Sequence, residues 1–402
     1  MLCCFCSLLC DREDLHRGCN IRSDALKTLN SYDVTKESSH SKSQSKIDEI
    51  VESLRRKLVE STSILMTGRI YSVETSRAVL QSARSLEASL DASELGWAIN
   101  NAFATARNGS FTTSLADSRA TSQTFIVLDD GSLLDRFPRL PHALCLCSGD
   151  QKDSRTVLLL GSPTSAAIET WTARFPNTWS VPCAMEHVTN ALNQWTSHRT
   201  HLADNTSSSW LDDLRASTYT SILWSPACLS SVSQPDLWIE DLMHWIRSQN
   251  EETRCSSLTL SGLDSTFQQV CTWTTGFPGR IRFRNENTIF EPMESNYLSW
   301  INRQCNDPNA LIVSVDESVK AIPFLPKSVL DSFAGTIVEL HGRSLEVNQN
   351  GSRVRLPIRT AGYETDATIS RADQVVMAFV PRQSPTADDW PTPAEWLARL
   401  ST

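Results

Sequence analysis

The chain has 402 residues, of which 40% are hydrophobic and 21% are charged, and its formal net charge is −9. This length suits two or three domains with substantial cores, and the negative charge argues against a nucleic-acid-binding protein, which needs a basic surface to neutralise phosphates. No run of 18 or more apolar residues occurs, so the sequence predicts no membrane-spanning helix.

Five of the twelve cysteines lie within the first twenty residues. Their spacing is irregular and the chain is long, which argues against a disulfide framework and favours a cytoplasmic, reducing location. One interpretation of this segment is an unstructured tail. A second is S-acylation, which would add a peripheral membrane contact; the candidates are Cys3, Cys4, Cys6 and Cys10. A zinc site is disfavoured because the first three cysteines crowd together and no paired Cys-x-x-Cys follows.

Residues 1–45 are predicted to form a cysteine-rich tail and a flexible linker, because the stretch from Glu37 to Ser45 is polar and without period. Residues 46–118 are predicted to form a helical block. Apolar residues recur there at helical spacing from Ile47 to Leu58 and from Val73 to Leu90, and a third helix is expected from Ser93 to Ala106.

Residues 119–308 are predicted to form a Rossmann-like α/β domain with a parallel sheet. Short apolar runs alternate there with amphipathic stretches, as a sheet covered on both faces requires. The runs predicted as strands are 124–128, 142–147, 156–160, 179–183, 220–224, 257–260 and 280–283. The stretches predicted as helices are 164–175, 186–195, 236–246 and 265–274.

Residues 309–402 are predicted to form a β-rich module with a closing helix from Trp390 to Leu400. The predicted fold class is therefore α/β: a Rossmann-like parallel sheet with an N-terminal helical block and a C-terminal β-rich module.

The turn after the run 156–160 is the best candidate for a nucleotide site. Gly161, Thr164 and Ser165 stand where a dinucleotide-binding fold contacts phosphate. The later glycines of that fingerprint are absent and Pro163 removes a donor N–H, so no cofactor is expected and NADPH is the alternative. No metal site is predicted, because His198 and His201 have helical spacing but no third ligand close by in the sequence.

Several segments resemble the pseudo-ketoreductase and enoylreductase regions of fungal highly reducing polyketide synthases. The pseudo-ketoreductase resemblance rests on Val157–Gly161, Trp179–Val181, Ile222–Trp224, Pro235, Asp241–Asn250 and Leu258–Leu260. The enoylreductase resemblance rests on Phe333–Leu340 and Asp373–Pro381. The departures are Gln249, where the family has an acidic residue, and Arg371-Ala372, where it has a turn glycine.

The resemblance implies a non-catalytic or auxiliary reductase-like protein of polyketide biosynthesis whose partner is a protein such as a synthase. The residues leave two alternatives open. One is an S-acylated membrane-associated adaptor. The other is an active NADPH-dependent enzyme with a site beside Gly161 and Ser225, at the carboxyl ends of the strands.

Overall fold

The computed structural model describes residues 2–10, 19–33, 40–92, 95–147, 151–197, 209–263, 265–319, 324–342, 345–348, 351–384 and 390–401. The strands are β1 (Ser63–Arg69), β2 (Ser89–Ala92), β3 (Thr124–Asp129), β4 (Thr156–Gly161), β5 (Thr178–Pro182), β6 (Tyr219–Trp224), β7 (Arg254–Thr259), β8 (Ile281–Arg284), β9 (Asn287–Phe290), β10 (Ala310–Asp316), β11 (Thr336–Leu340), β12 (Glu346–Val347), β13 (Arg353–Leu356), β14 (Ala367–Ser370) and β15 (Met377–Val380).

The α-helices are α1 (Asn20–Asp33), α2 (His40–Glu60), α3 (Val73–Ser85), α4 (Leu95–Asn108), α5 (Leu115–Thr121), α6 (Leu133–Arg136), α7 (Leu140–Leu144), α8 (Ser165–Arg174), α9 (Val188–Ser197), α10 (Ser209–Ala216), α11 (Pro235–Gln249), α12 (Ser265–Thr275), α13 (Tyr297–Gln304), α14 (Lys327–Ser332) and α15 (Pro393–Ser401). Short 3₁₀ turns cover Met185–His187 and Pro226–Ser231.

The chain divides into two compact units that each draw on several segments. The first unit comprises residues 1–21, 96–262 and 371–376, and the second comprises 22–95, 263–370 and 377–402. The division of the sequence at residues 45, 118 and 308 remains a prediction.

The first unit contains a five-stranded parallel sheet in the order β5-β4-β3-β6-β7. Counted along the chain, this is the order 3-2-1-4-5 of a doubly wound nucleotide-binding fold. Both faces of the central strands β3, β4 and β6 are buried, whereas the edge strand β5 is largely exposed. Ile126 and Ile222 pack with Ile239 of α11 on one face, and on the other Phe125 meets Phe175 edge-on, with ring centroids 5.8 Å apart. Burial on both faces explains the continuous apolar strands that the sequence shows.

The second unit contains an eight-stranded sheet in the order β12-β13-β11-β10-β1-β2-β8-β9. The five strands from β13 to β2 are parallel, and β12, β8 and β9 add to the two sides as antiparallel strands. Counted along the chain, the parallel strands follow the order 2-1-3-4-5, the other common doubly wound arrangement. A separate antiparallel pair joins β14 and β15.

The predicted α/β class, with parallel sheets and a β-rich C-terminal region, is confirmed. Several local assignments differ from the prediction. The predicted tail and linker, residues 1–45, contains helix α1 and the first residues of helix α2, which begins at His40. The run from His142 to Cys147 begins within helix α7 rather than in a strand, because Pro141 opens that helix. The range 46–118 contains β1 and β2 besides its helices. The helix predicted to end at Leu90 ends at Ser85, since Leu86 caps it and Leu90 lies in β2.

Candidate functional site

The carboxyl ends of β3 and β6 meet at the point where the strand order of the first unit reverses. In open α/β sheets, ligands bind in the crevice outside the carboxyl ends of the strands at this point. The edge is formed by Asp129-Asp130-Gly131 after β3, by Ser225 after β6 and by the turn after Gly161 of β4. This edge is the candidate functional site of the first unit.

Asp129 is the central polar residue of this edge, and its side chain is fully buried. Its Oδ1 accepts hydrogen bonds from the backbone N–H groups of Gly131, at 2.8 Å, and Leu133, at 3.1 Å. Its Oδ2 has no hydrogen-bond partner among the residues that the structure describes. Burial raises the pKa of the Asp129 carboxyl, and the charges of Asp130 and Asp135 raise it further. Asp129 therefore presents an unused acceptor, or a proton donor when protonated, at the position where ligands bind in this fold.

Other polar groups lie along the same edge of the sheet. The Oδ1 of Asp130 accepts from the backbone N–H and the hydroxyl of Ser132, at 3.0 and 2.6 Å, which holds the turn. The Nη1 of Arg136 in α6 donates to the hydroxyl of Ser225 at 3.4 Å. The edge thus combines a buried carboxyl, an arginine and a hydroxyl, a set that suits a ligand carrying both donors and acceptors.

The predicted cofactor-binding residues lie beside this edge. Gly161 pairs with Asp129, and a Cβ at Gly161 would lie 2.1 Å from the carbonyl oxygen of Asp129. The glycine is therefore required by the close approach of β3 and β4. Thr164 caps α8, because its Oγ1 accepts from Ala167 N–H at 3.1 Å, and Ser165 is the exposed first residue of that helix. Their role in binding a cofactor remains a prediction.

The second unit has a comparable edge where β1 and β10 end, and the buried carboxylate there is Glu317. Its Oε2 accepts from the backbone N–H groups of Tyr71 and Ser72, at 2.5 and 2.9 Å. Its Oε1 accepts from the hydroxyls of Ser72 and Thr75, at 2.8 and 2.7 Å. Burial raises the pKa of Glu317 and these hydrogen bonds oppose the change. The carboxylate occupies the N-terminus of α3, which is the position that favours an anion.

Two further carboxylates lie at carboxyl ends of the same sheet. The Oδ2 of Asp316 lies 3.5 Å from Nη1 of Arg69 and 3.7 Å from Nδ1 of His341. Asp91 lies near the end of β2, and its Oδ2 accepts a hydrogen bond from the backbone N–H of Tyr297 at 2.8 Å. Burial raises the pKa of Asp91 from its ordinary 3.8 to about 6, against the opposing charge of Arg280.

The N-terminal cysteines do not form an exposed tail. Cys3, Cys4 and Cys10 are buried, and Cys6 is half-buried. The backbone N–H of Cys3 donates to the carbonyl of Cys10 at 2.9 Å. Burial of its sulfur raises the pKa of Cys6, and the nearby Cys10 and Cys3 raise it further. Three of the four candidates for acylation are therefore buried, whereas acyl transfer requires an accessible thiolate. Acylation of these cysteines stays a prediction that the structure does not support.

Two other sequence expectations bear on the site. His198 and His201 lie outside the described residues. Within the described residues, no helix is long and apolar enough to cross a membrane.

The sequence predicts Asp129-Asp130-Gly131 as a turn at the end of the strand 124–128 and does not identify it as a site. A signal was present, since two carboxylates directly follow a fully apolar run. The neighbouring strand and the turn that follows determine which of the two carboxyls is buried. They also determine that the Oδ2 of the buried carboxyl has no partner among the described residues.

Comparison with known proteins gave one kind of match. No family model matches the sequence, and no curated protein matches it. Among solved structures, the chain is similar to a chain of the formyltransferase/hydrolase complex (FhcABCD) from Methylorubrum extorquens, crystallised with methylofuran. The TM-score is 0.69 at 18% sequence identity, over 91% of this chain and 96% of that chain. A similarity at this identity shows a shared fold.

The match overturns the resemblance to fungal polyketide synthases and the function inferred from it. The non-catalytic role in polyketide biosynthesis and the lipid-anchored alternative are not supported either. The segments behind the resemblance have local structural reasons. A Cβ at Gly335 would lie 2.1 Å from the carbonyl oxygen of Ala310, so Phe333-Ala334-Gly335 reflects the close approach of two strands. The stretch 373–381 is divided between the two units and forms no single β module.

The matched structure is a multi-subunit complex, which agrees with the expectation of a protein partner. The chain thus shares its fold, over nearly the full length of both proteins, with a subunit of a bacterial formyltransferase/hydrolase complex.

Proposed function

We propose that this chain is a subunit of a multi-protein assembly that transfers or hydrolyses formyl groups. The observation that carries the proposal is the extent of the structural match, which covers 91% of this chain and 96% of its counterpart. A doubly wound α/β unit alone is compatible with many functions. The match instead spans two such units joined by a chain that passes between them several times, and this combination is a much narrower constraint.

Within that assembly, we assign a ligand-binding role to the Asp129 edge of the first unit. The free Oδ2 of Asp129 is buried, and a buried acceptor without a partner costs about 1–3 kcal/mol. A ligand N–H or O–H group placed there would remove this cost. Arg136 and Ser225 at the same edge would hold the acceptor groups of such a ligand.

The first test is purification of the tagged, full-length chain from the cells that make it. We expect it to elute from size-exclusion chromatography as part of an assembly with fixed stoichiometry. The same fractions should transfer a formyl group to an amine acceptor or release formate from a formylated amine. Elution as the single chain, with formyl activity absent from those fractions, would refute the proposal.

The second test separates assembly from ligand binding. Asp129→Asn keeps an oxygen to accept from Gly131 and Leu133 but replaces Oδ2 with a donor. We expect the assembly to form normally and its activity to fall at least about tenfold, which corresponds to roughly 1.4 kcal/mol. Asp130→Asn is the matched control, since that carboxyl serves only its own turn in the contacts described above. Equal activity of the two variants would contradict a binding role for Asp129.

A further inference from the structure

A compact group of metal-ligating side chains lies in the first unit, away from the carboxyl edge of its sheet. The chain leaves α7 at Cys145, reaches Cys147 and then turns into β4 through Asp153. The sulfur atoms of both cysteines and a carboxylate oxygen of Asp153 all lie within 4.8 Å of one another. Cys145 is 1% exposed and Asp153 is 4% exposed, whereas Cys147 is half-buried. One ligand thus faces the surface and two are held inside.

Arg155 holds Asp153 in position. Its Nε donates to Oδ1 at 2.8 Å and its Nη2 donates to Oδ2 at 2.6 Å, a two-point contact. The same guanidinium also donates to the carbonyl of Leu144 at 2.7 Å and to that of Arg119 at 2.8 Å. It lies over the ring of Phe125, 4.9 Å from the centroid. Because so many contacts hold the guanidinium, the carboxylate keeps its place before any ligand arrives.

Backbone contacts tie the cysteine loop to the same carboxylate. The N–H of Leu146, which lies between the two cysteines, donates to Oδ2 of Asp153 at 3.0 Å. The N–H and side chain of Arg155 both reach Oδ1 of Asp153, at 3.1 and 2.8 Å. The thiol of Cys147 donates to the carbonyl of Lys152 at 3.4 Å. Hydrogen bonds therefore link the segment of the two cysteines to the segment of Asp153.

We propose that Cys145, Cys147 and Asp153 bind a Zn²⁺ ion, with the fourth position open to water or to a side chain of a partner. Zn²⁺ accepts cysteine sulfur and carboxylate oxygen, whereas Mg²⁺ and Ca²⁺ prefer oxygen alone. Tetrahedral Zn–S bonds of about 2.3 Å bring two sulfurs to roughly 3.8 Å from each other. The three ligand atoms lie within 4.8 Å of one another, a limit about 1 Å above this value, so binding requires side-chain rotations that bring the sulfurs closer together.

The charges of the site also balance. Two thiolates and the carboxylate carry three negative charges, and Zn²⁺ with the guanidinium of Arg155 carries three positive ones. A carboxylate that binds a metal is normally hydrogen-bonded as well, and Arg155 supplies those contacts.

The test uses the full-length, reduced protein and Cd²⁺ as the probe, because thiolate–cadmium bonds absorb in the ultraviolet. Other cysteines contribute to the total signal, so the measurement is the difference between variants. We expect Cys147→Ser to lose one equivalent of Cd²⁺ or to bind it at least about tenfold more weakly. Zn²⁺ added to the same solutions should displace Cd²⁺ and raise the Tm of the wild type more than that of the variant.

Cys305→Ser is the matched control. Cys305 is half-buried like Cys147, and its thiol also donates to a backbone carbonyl at 3.4 Å, that of Asn302. This variant should bind as the wild type does. Asp153→Asn should weaken Cd²⁺ binding, as Cys147→Ser does. If Asp153→Asn fails to fold, the result for Cys147→Ser alone tests the proposal. Unchanged stoichiometry and affinity of Cd²⁺ binding in Cys147→Ser would overturn the proposal. It would also be overturned if Cys145 and Cys147 formed a disulfide and the reduced protein bound no metal at this position.

Discussion

Each of the two units has a buried carboxyl at the edge where the strand order of its sheet reverses, and the hydrogen bonding of that carboxyl differs between them. In the first unit, Asp129 uses one oxygen for backbone donors and leaves Oδ2 without a partner among the described residues. In the second unit, Glu317 accepts four hydrogen bonds from Tyr71, Ser72 and Thr75. One edge therefore has an acceptor left for a ligand, and the other has its donors satisfied by the chain itself.

This difference shows why a shared fold does not assign a shared function. Both edges have the strand arrangement that places ligands in doubly wound proteins. At the second edge, the N-terminus of α3 already holds an internal anion, so an external phosphate would have to displace Glu317. Asp91 Oδ1 and Asp316 Oδ2 at the second edge also lack a hydrogen-bond partner among the described residues, but they lie 3.6 Å from Arg280 and 3.5 Å from Arg69. Asp129 Oδ2 has no such ion pair among those residues, so the candidate site is placed in the first unit.

The largest effect is expected when the internal anion is removed. Glu317→Ala leaves two backbone N–H groups and two hydroxyls without their acceptor, and we expect it to lower the free energy of unfolding by about 3–5 kcal/mol. Urea denaturation measures this loss. Glu346→Ala is the control, because that carboxylate is exposed and forms an ion pair with Arg355 at the surface. A loss below about 1 kcal/mol would mean that Glu317 is not the main acceptor at this helix end.

Asp91 provides a test of the second edge by pH. Burial raises its pKa to about 6 from an ordinary 3.8, so the folded state binds this proton more tightly than the unfolded state. Protonation of Asp91 therefore stabilises the folded state by about 3 kcal/mol below pH 4, and this stabilisation is lost as the pH rises to about 6. Asp91→Asn should remove this dependence.

The measurement is urea denaturation of both proteins at several pH values between 4 and 7. The difference between them isolates Asp91, because Glu317 and Asp129 titrate in each. Parallel stability curves for the two proteins would show that the Asp91 carboxyl is not destabilised by burial.

The turn beside the first edge is tested at Gly161. Its φ is +122°, and an added Cβ would meet the carbonyl oxygen of Asp129 at 2.1 Å. We expect Gly161→Ala to destabilise the protein by about 1–3 kcal/mol. Thr164→Val, which removes only the helix cap, should cost about 1 kcal/mol. If Gly161→Ala folds with wild-type stability, the glycine serves something other than strand packing.

The smallest stability effect is expected at Asp129 itself. Asp129→Asn removes a buried carboxyl whose pKa is raised, and the amide still accepts from Gly131 and Leu133. We expect the free energy of unfolding of the variant to differ from that of the wild type by less than about 1 kcal/mol. As the pH rises through the raised pKa of Asp129, the variant should become the more stable of the two, because the wild type then buries a charge. Thermal denaturation at acidic and neutral pH measures it. A large loss of stability would place Asp129 among the structural carboxylates, with Glu317.

Much of the first unit could be predicted from the sequence. The strands β3, β4, β5, β6 and β7 were anticipated because continuous apolar runs between amphipathic stretches are typical of a sheet buried on both faces. The run 280–283 was also predicted as a strand, but it became β8 of the other sheet. Local pattern predicts a strand and leaves open which sheet it joins.

The N-terminal cysteines show the same limit. Their crowding indicates a special segment, but only the fold buries them. The approach of Cys145 and Cys147 to Asp153 could not be predicted either. It depends on Arg155, whose guanidinium binds Asp153 and also donates to backbone carbonyls of α7 and α5.

The sequence by itself determined that this protein is α/β, that its first sheet is parallel and that apolar strands end in polar turns, since these features follow from short-range pattern and burial. Only the tertiary structure decided which carboxyl at those turns keeps a free oxygen. That property depends on whether donors distant in sequence, such as Thr75 for Glu317, reach the same point in space.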